Sequence, residues 1–174
     1  MSNICVLGLW HLGTVTAACL ASVGHKVIGI DDDKNNIKKL NLAEAPIFEP
    51  GLNNMIKKGI ENGNLLFTQN TKNSFHGLEV IWITFDSPIN NEDKADFEYV
   101  LNQIKKIIPN LDDNQLVMIS SQIPIGSIRK LEKFVDERYK HKNISFAYSP
   151  ENLRLGKAID NFLEPDRIVV GVRS

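Results

Sequence analysis

Hydrophobic positions along the chain fall in short runs separated by longer stretches of mixed polarity. Runs at 4–7, 27–30, 65–68, 80–84, 116–120, 144–148 and 168–172 read as strands. Several, VIWIT and LVMIS among them, are apolar on consecutive residues rather than alternately, which suits strands covered on both faces. Between them, 14–23, 97–108 and 128–139 carry apolar residues at helical spacing; in the last, Ile128, Leu131, Phe134 and Val135 fall on one side. Shorter helices are expected at 36–40 and 52–60. Proline and glycine mark loops at 44–52, 86–96 and 120–127. Two of these follow directly on strand ends, where open parallel sheets bind ligands. Strands alternating with crossover helices predict an α/β fold, a doubly wound and mainly parallel sheet with helices on both faces.

Composition narrows this picture. The 174 residues fit one domain spanning the whole chain, with no repeat, linker or low-complexity tract. A net charge of −1 with scattered Lys and Glu offers no basic stripe, so neither nucleic acid nor an anionic membrane is an expected partner. No apolar run approaches the roughly 20 residues that span a bilayer, and Met1-Ser2-Asn3 does not open a secretion signal, so a cytoplasmic protein is expected. Cys5 and Cys19 lack metal-ligand spacing and read as small core residues rather than nucleophiles. His11, His25, His76 and His141 form no cluster, and no metal is expected.

The first strand runs into Gly8-x-x-x-x-Gly13 and then a helix, which brings backbone N–H groups and the positive helix end to where a pyrophosphate can sit. This is the opening of a Rossmann-type dinucleotide fold, with one departure. Trp10 stands where such a turn usually carries a glycine that lets phosphate approach the backbone. Its side chain must swing away from the phosphates or lie along the cofactor, with a backbone strain of about 1–3 kcal/mol expected. Asp31 ends the second strand, near the offset at which an acid accepts from the adenine ribose hydroxyls, and it points to NAD over NADP. Asp32 and Asp33 read as solvated turn residues or a helix cap. A doubly wound fold that binds no dinucleotide remains compatible with this stretch alone.

Three later loops are more specific. YSPENLRLGKAIDNFLEPDRIVVG (148–171) resembles the segment of the UDP-glucose/GDP-mannose dehydrogenase family that reads N-P-E-F-L-R-E-G, then A-I, then F, then P-D-R-I-V-x-G. SSQIPIGS (120–127) resembles its S-T-V-P-V-G-T loop, ITFDSP (83–88) its V-x-T-P or G-T-P, and APIFEPGL (45–52) its P-I-x-E-P-G-L, all in the same order. The resemblance covers essentially the whole chain but only the family's N-terminal, NAD-binding part. The central helical domain with its G-x-G-x-C-x-P-K-D nucleophile loop and the C-terminal UDP-binding domain have no counterpart, and neither Cys5 nor Cys19 matches that nucleophile. The chain is accordingly expected to be a fragment, inactive alone, of an enzyme that oxidises the C6 alcohol of a UDP-hexose, UDP-glucose foremost, to a carboxylate in two NAD-dependent steps. The family's products feed surface polysaccharides, and its members assemble as homodimers through the missing helical domain, so this fragment alone is expected to be monomeric.

The resemblance also implies residue roles. Glu151 matches the acid of N-P-E, used near the reacting carbon for proton handling or water activation; a helix first-turn acid is the plainer alternative. Gln122 replaces the threonine that helps hold a catalytic water, and an amide can still bond a water or the nicotinamide carboxamide. Asn152, Leu153 and Arg154 fall on the sugar side, where Leu155 departs from the family's second glutamate. Gly8, Trp10, His11, Leu12 and Gly13 form the cofactor turn, with Asp31, Asp86, Ser87, Ser121 and Gln122 completing the cofactor set. Asp86 stands where glycine is common and must point away from a pyrophosphate or meet a ribose hydroxyl. For Ser87 and Ser121 a local turn hydrogen bond is the alternative, and for His11 it is packing. Lys34 reads as solvated surface, and Glu49 and Arg167 as structural partners that hold loop geometry.

Two other functions compete. A non-catalytic module that binds NAD or a sugar nucleotide accommodates the departures at Trp10, Asp86, Gln122 and Leu155. Another NAD-dependent dehydrogenase, of hydroxyacid type, explains the first turn but not 148–171.

Overall fold

The computed structural model describes residues 1–69, 74–88 and 95–173. Part of the 86–96 loop, and Ser174, therefore lie outside the described residues. The chain runs β1 (Asn3–Leu7), α1 (His11–Ser22), β2 (Lys26–Ile30), α2 (Lys34–Asn41), α3 (Leu52–Glu61), β3 (Leu65–Thr68), β4 (Val80–Ile83), α4 (Phe97–Ile107), β5 (Leu116–Ile119), α5 (Ser127–Arg138), β6 (Ser145–Tyr148), α6 (Ala158–Leu163) and β7 (Gly171–Val172). A short 3-10 turn, Ile108–Asn110, follows α4.

The strands form a seven-stranded sheet in the order β3-β2-β1-β4-β5-β6-β7. All pairings are parallel except β6 with β7, which is antiparallel. This is the doubly wound Rossmann arrangement, and the order reverses between β1 and β4, where the ends of adjacent strands diverge and leave a crevice.

Consecutive apolar residues along a strand serve two separate cores. Ile4 and Val6 pack on one side with Val15, Cys19 and Ile56, whereas Cys5 and Leu7 pack on the other with Ile81, Ile83, Ile104 and Leu131. A strand covered on both faces cannot alternate polar and apolar residues, which is why VIWIT and LVMIS read as they do. Burial pushes the Cys5 thiol far above its usual range, and burial together with the Glu49 charge pushes Cys19 up to about 12. Neither is a thiolate nucleophile at neutral pH.

Three expectations need correction. Helix α1 begins at His11 rather than at 14, because Gly13 sits inside its first turn and not before it. The expected strand at 168–172 is paired only over β7, and Ile168, Val169 and Val170 lie exposed beside the sheet edge. The run 158–163, assigned no element from its pattern, forms α6; six residues are too few to show helical periodicity.

Candidate functional site

The crevice at the β1/β4 switch is built from the turn outward. Gly8 has φ +96°, a left-handed conformation, and a Cβ there would meet Phe85 at 2.8 Å. Gly13 is tighter still: its Cβ would lie 1.8 Å from the Gly8 carbonyl oxygen and 2.6 Å from Thr84 Oγ1. Both glycines therefore answer to close approach between α1, β1 and the end of β4. Thr84, wholly buried, fixes that approach by donating to the Gly8 carbonyl at 2.7 Å and facing the Leu7 carbonyl at 3.1 Å. The ordinary look of a threonine after an apolar strand hides this role in the sequence.

The backbone at position 10 needs no glycine conformation. Trp10 is the N-cap of α1 with φ −79°, extended backbone that any L-residue adopts, so the strain expected there is absent. Trp10 is 51% exposed. No side chain caps α1 and no acid occupies its first turn, unlike α2, whose N-cap Asp33 accepts from the Asn35 and Asn36 N–H groups. The first-turn amides of α1 are thus donors available to an anion.

Asp31 is positioned by the same wiring. Its Oδ2 accepts the Leu9 N–H at 2.7 Å and its Oδ1 the Asp33 N–H at 2.9 Å, while Asn36 Nδ2 donates to the Leu9 carbonyl at 2.9 Å. Each carboxylate oxygen keeps a further lone pair for a hydroxyl donor.

Beside the turn lies a cleft of about 320 Å³ that gathers His11 and Leu12 from α1, Asp86 and Ser87 after β4, Ser121 and Gln122 after β5, and Glu151 and Leu153 after β6. Most of the cofactor and substrate residues expected from the sequence therefore converge from the start of α1 and three separate loops. Asn152 and Arg154 instead line an adjoining cleft of about 520 Å³, floored by Leu20, Trp82 and Phe162 and shared at Leu12, Ser120, Glu151 and Leu153. A larger hollow of about 570 Å³ along α4 borders neither the glycine turn nor the β1/β4 crevice; it is an open groove between exposed side chains such as Glu98 and Lys106.

Individual groups differ in how they are held. Ser121 is buried and its Oγ has no hydrogen-bond partner, so the local turn bond considered for it is absent. Ser87 Oγ donates to the Gln122 carbonyl at 3.2 Å, tying the β4 loop to the β5 loop. Glu151 is exposed, and its Oε1 accepts the N–H of Leu153 within its own loop. Asp86 lines the cleft, and desolvation holds its carboxyl above the usual aspartate range, with His11 drawing it partly back.

Glu49 is buried, at 4% exposure, and accepts the N–H groups of Gly156 and Ala158, each at 2.9 Å. His11 Nε2 lies 3.1 Å from its Oε2. Burial pushes the Glu49 carboxyl up, but the two amides and His11 outweigh it and hold the group below the ordinary glutamate value. The expected structural role of Glu49 takes this form, whereas Arg167 stands exposed on the rim of the larger cleft. Among the described residues no three of His, Cys, Asp and Glu converge as a metal site requires, and no helix is long and apolar enough to cross a membrane.

Comparison with known proteins agrees with this geometry. The model of the UDP-glucose/GDP-mannose dehydrogenase family NAD-binding domain matches residues 2–174. The UDP-glucose 6-dehydrogenase of Rhizobium meliloti is 34% identical over 171 residues, covering 98% of this chain and 39% of that protein. The structure of a UDP-glucose dehydrogenase from Pyrobaculum islandicum superposes with a TM-score of 0.90 at 29% identity, over 100% of this chain and 41% of the other. A GDP-mannose dehydrogenase from Pseudomonas aeruginosa superposes with a TM-score of 0.87 at 26% identity, over 99% and 41%. The chain thus spans about two-fifths of the length of the relatives it matches.

Proposed function

The chain belongs to the UDP-glucose/GDP-mannose dehydrogenase family as its NAD-binding domain, and from that premise we propose that it serves a nucleotide-sugar 6-dehydrogenase oxidising the C6 alcohol of a UDP-hexose, UDP-glucose foremost, to a carboxylate. The observation that carries the reading is the single cleft in which an uncapped helix start, a buried hydroxyl without partner, an amide and a carboxylate meet. The relative at 34% identity bears the name of that reaction and supports the choice of sugar.

The residues fit the cofactor. The first-turn amides of α1 hold the pyrophosphate, and the Gly8–Gly13 contact keeps that helix end at the β1 edge. Asp31 accepts from the adenine ribose hydroxyls, and its charge repels a 2′-phosphate, which sets NAD above NADP. Ser121 and Ser87 stand at the nicotinamide half, and Gln122 orients the carboxamide or a water. When bound, NAD supplies the hydride acceptor. Glu151 takes up the proton released from the sugar alcohol or activates the attacking water, and Asn152, Leu153 and Arg154 line the sugar. For Glu151 to act, its carboxylate leaves the Leu153 N–H and turns into the cleft.

The same reading gives a cytoplasmic enzyme that supplies surface polysaccharide synthesis and works as a homodimer in its full-length form. Calorimetric titration of the chain with NAD and NADP tests its cofactor half: weak binding of NAD and weaker binding of NADP is expected. No heat with millimolar NAD, or a preference for NADP, removes it. Assay of the full-length protein with UDP- and GDP-hexoses tests the reaction, and inactivity across all of them would leave a binding module instead.

A further inference from the structure

Glu49 lines neither cleft, yet it joins the two sides of the site. Its backbone carbonyl accepts the Leu52 N–H at 3.1 Å and so anchors it to the start of α3. Its side chain reaches the loop after β6, which carries Glu151 and Arg154, through the N–H groups of Gly156 and Ala158. It also reaches the first residue of α1 through His11. The division between its two oxygens matters: Oε1 serves Ala158, but Oε2 serves both Gly156 at 2.9 Å and His11 Nε2 at 3.1 Å. A carboxylate only accepts, so the ring nitrogen facing it carries a proton, and two donors share one oxygen.

His11 lines the 320 Å³ cleft beside the open helix end. We infer that Glu49 is a positioning residue that couples dinucleotide occupancy at α1 to the conformation of the 151–158 loop, through the oxygen that His11 and Gly156 share. An anion at the first turn of α1 draws the imidazole N–H toward itself. Oε2 then acts on Gly156 with its charge undivided, and the charge-assisted bond that holds the sugar-side loop shortens and strengthens. Cofactor binding thereby sets the loop that presents Glu151 and Arg154 before the sugar nucleotide arrives. By linkage, a ligand seated on that loop tightens the hold on the dinucleotide by the same factor. The inference rests on the proposed seat of NAD at α1.

Hydrogen exchange at the Gly156 and Ala158 amides, with and without saturating NAD, reads the coupling directly. In the unaltered chain NAD is expected to slow exchange at both amides at least fivefold. Glu49→Gln should still bind NAD, and the NAD-dependent slowing should shrink to less than twofold. A Glu49 with a structural role alone would alter the exchange rates of the variant but leave the ratio with and without NAD intact, and that result overturns the inference. Should Glu49→Gln not fold, His11→Asn keeps both loop bonds and leaves Oε2 to Gly156 alone; its exchange without NAD should already be slowed toward the NAD-bound rate of the unaltered chain, and saturating NAD should slow it no further. Slowing that persists in His11→Asn is equally fatal. NAD heat without any slowing in the unaltered chain refutes the coupling alone, whereas absence of NAD heat removes the coupling together with the function it rests on.

Discussion

Replacing Ser121 by alanine should separate ligand binding from stability, in opposite directions. Ser121 is 2% exposed and its Oγ has no hydrogen-bond partner, although it lines the cleft. A hydroxyl removed from water without a partner costs about 1–3 kcal/mol. Ser121→Ala keeps the Cβ and leaves a void no larger than one oxygen, so the unliganded chain should gain about 1 kcal/mol, a rise in Tm of roughly 2–4 °C at this size. If the hydroxyl meets the nicotinamide half of the cofactor, the same change forfeits one hydrogen bond worth about 0.5–1.5 kcal/mol and raises the Kd for NAD roughly two- to tenfold. Urea denaturation reads the first quantity and calorimetric NAD titration the second. A variant that is destabilised by 1 kcal/mol or more while its NAD affinity stays unchanged would show that the hydroxyl holds the protein and not the ligand.

Other expectations follow from the same contacts. Gly13→Ala places a methyl 1.8 Å from the Gly8 oxygen, so the turn must move by about 1.7 Å to restore ordinary contact; a loss of at least 1–3 kcal/mol in denaturation and a clear loss of NAD affinity should result. Trp10→Gly should change NAD affinity less than threefold by calorimetry, because φ −79° carries no strain to relieve and the residue is half exposed. Glu49 is held below its ordinary value of 4.5, so its contribution to stability is present above that pH and is lost as pH falls through the lower folded value. Denaturation midpoints measured from pH 6 to pH 3 should fall less steeply in Glu49→Gln than in the unaltered chain, since Glu79 and Asp112, lowered in the same sense, remain in both. Asp86 has the opposite sign: its folded value lies above the ordinary 3.8, so ionising it costs stability as pH rises through the folded value, and Asp86→Asn should remove that cost.

Much of the fold was legible because a sheet covered on both faces forces consecutive apolar residues, and several such runs were visible with turn residues between them. The run at 168–172 misled because apolar composition does not ensure pairing: only Gly171 and Val172 reach β6. Helix α1 was read late because a glycine signals a turn, although Gly13 is helical and is there for closeness to Gly8. The site residues were visible as motifs, while their support was not. Asp31 was expected to face a ribose, but the Leu9 and Asp33 amides that orient its carboxylate were not visible, since those contacts depend on how β1 and β2 pair. Glu49 is separated by 107 residues from its amide partner Gly156, and no local pattern announces a bond across that distance. Trp10 looked like an obstacle because the usual glycine lets phosphate approach the backbone, and its unstrained φ of −79° shows only once the backbone geometry is known.

The proposed function requires NAD to seat at the β1/β4 switch, on the uncapped start of α1. Amide chemical-shift mapping of the isotope-labelled chain during an NAD titration tests it most directly. The largest shifts are expected at His11, Leu12, Gly13, Asp31, Ser121 and Gln122, with smaller ones at Gly156 and Ala158. Shifts confined to α4 around Tyr99 and Lys105, or none at these positions at millimolar NAD, would contradict it.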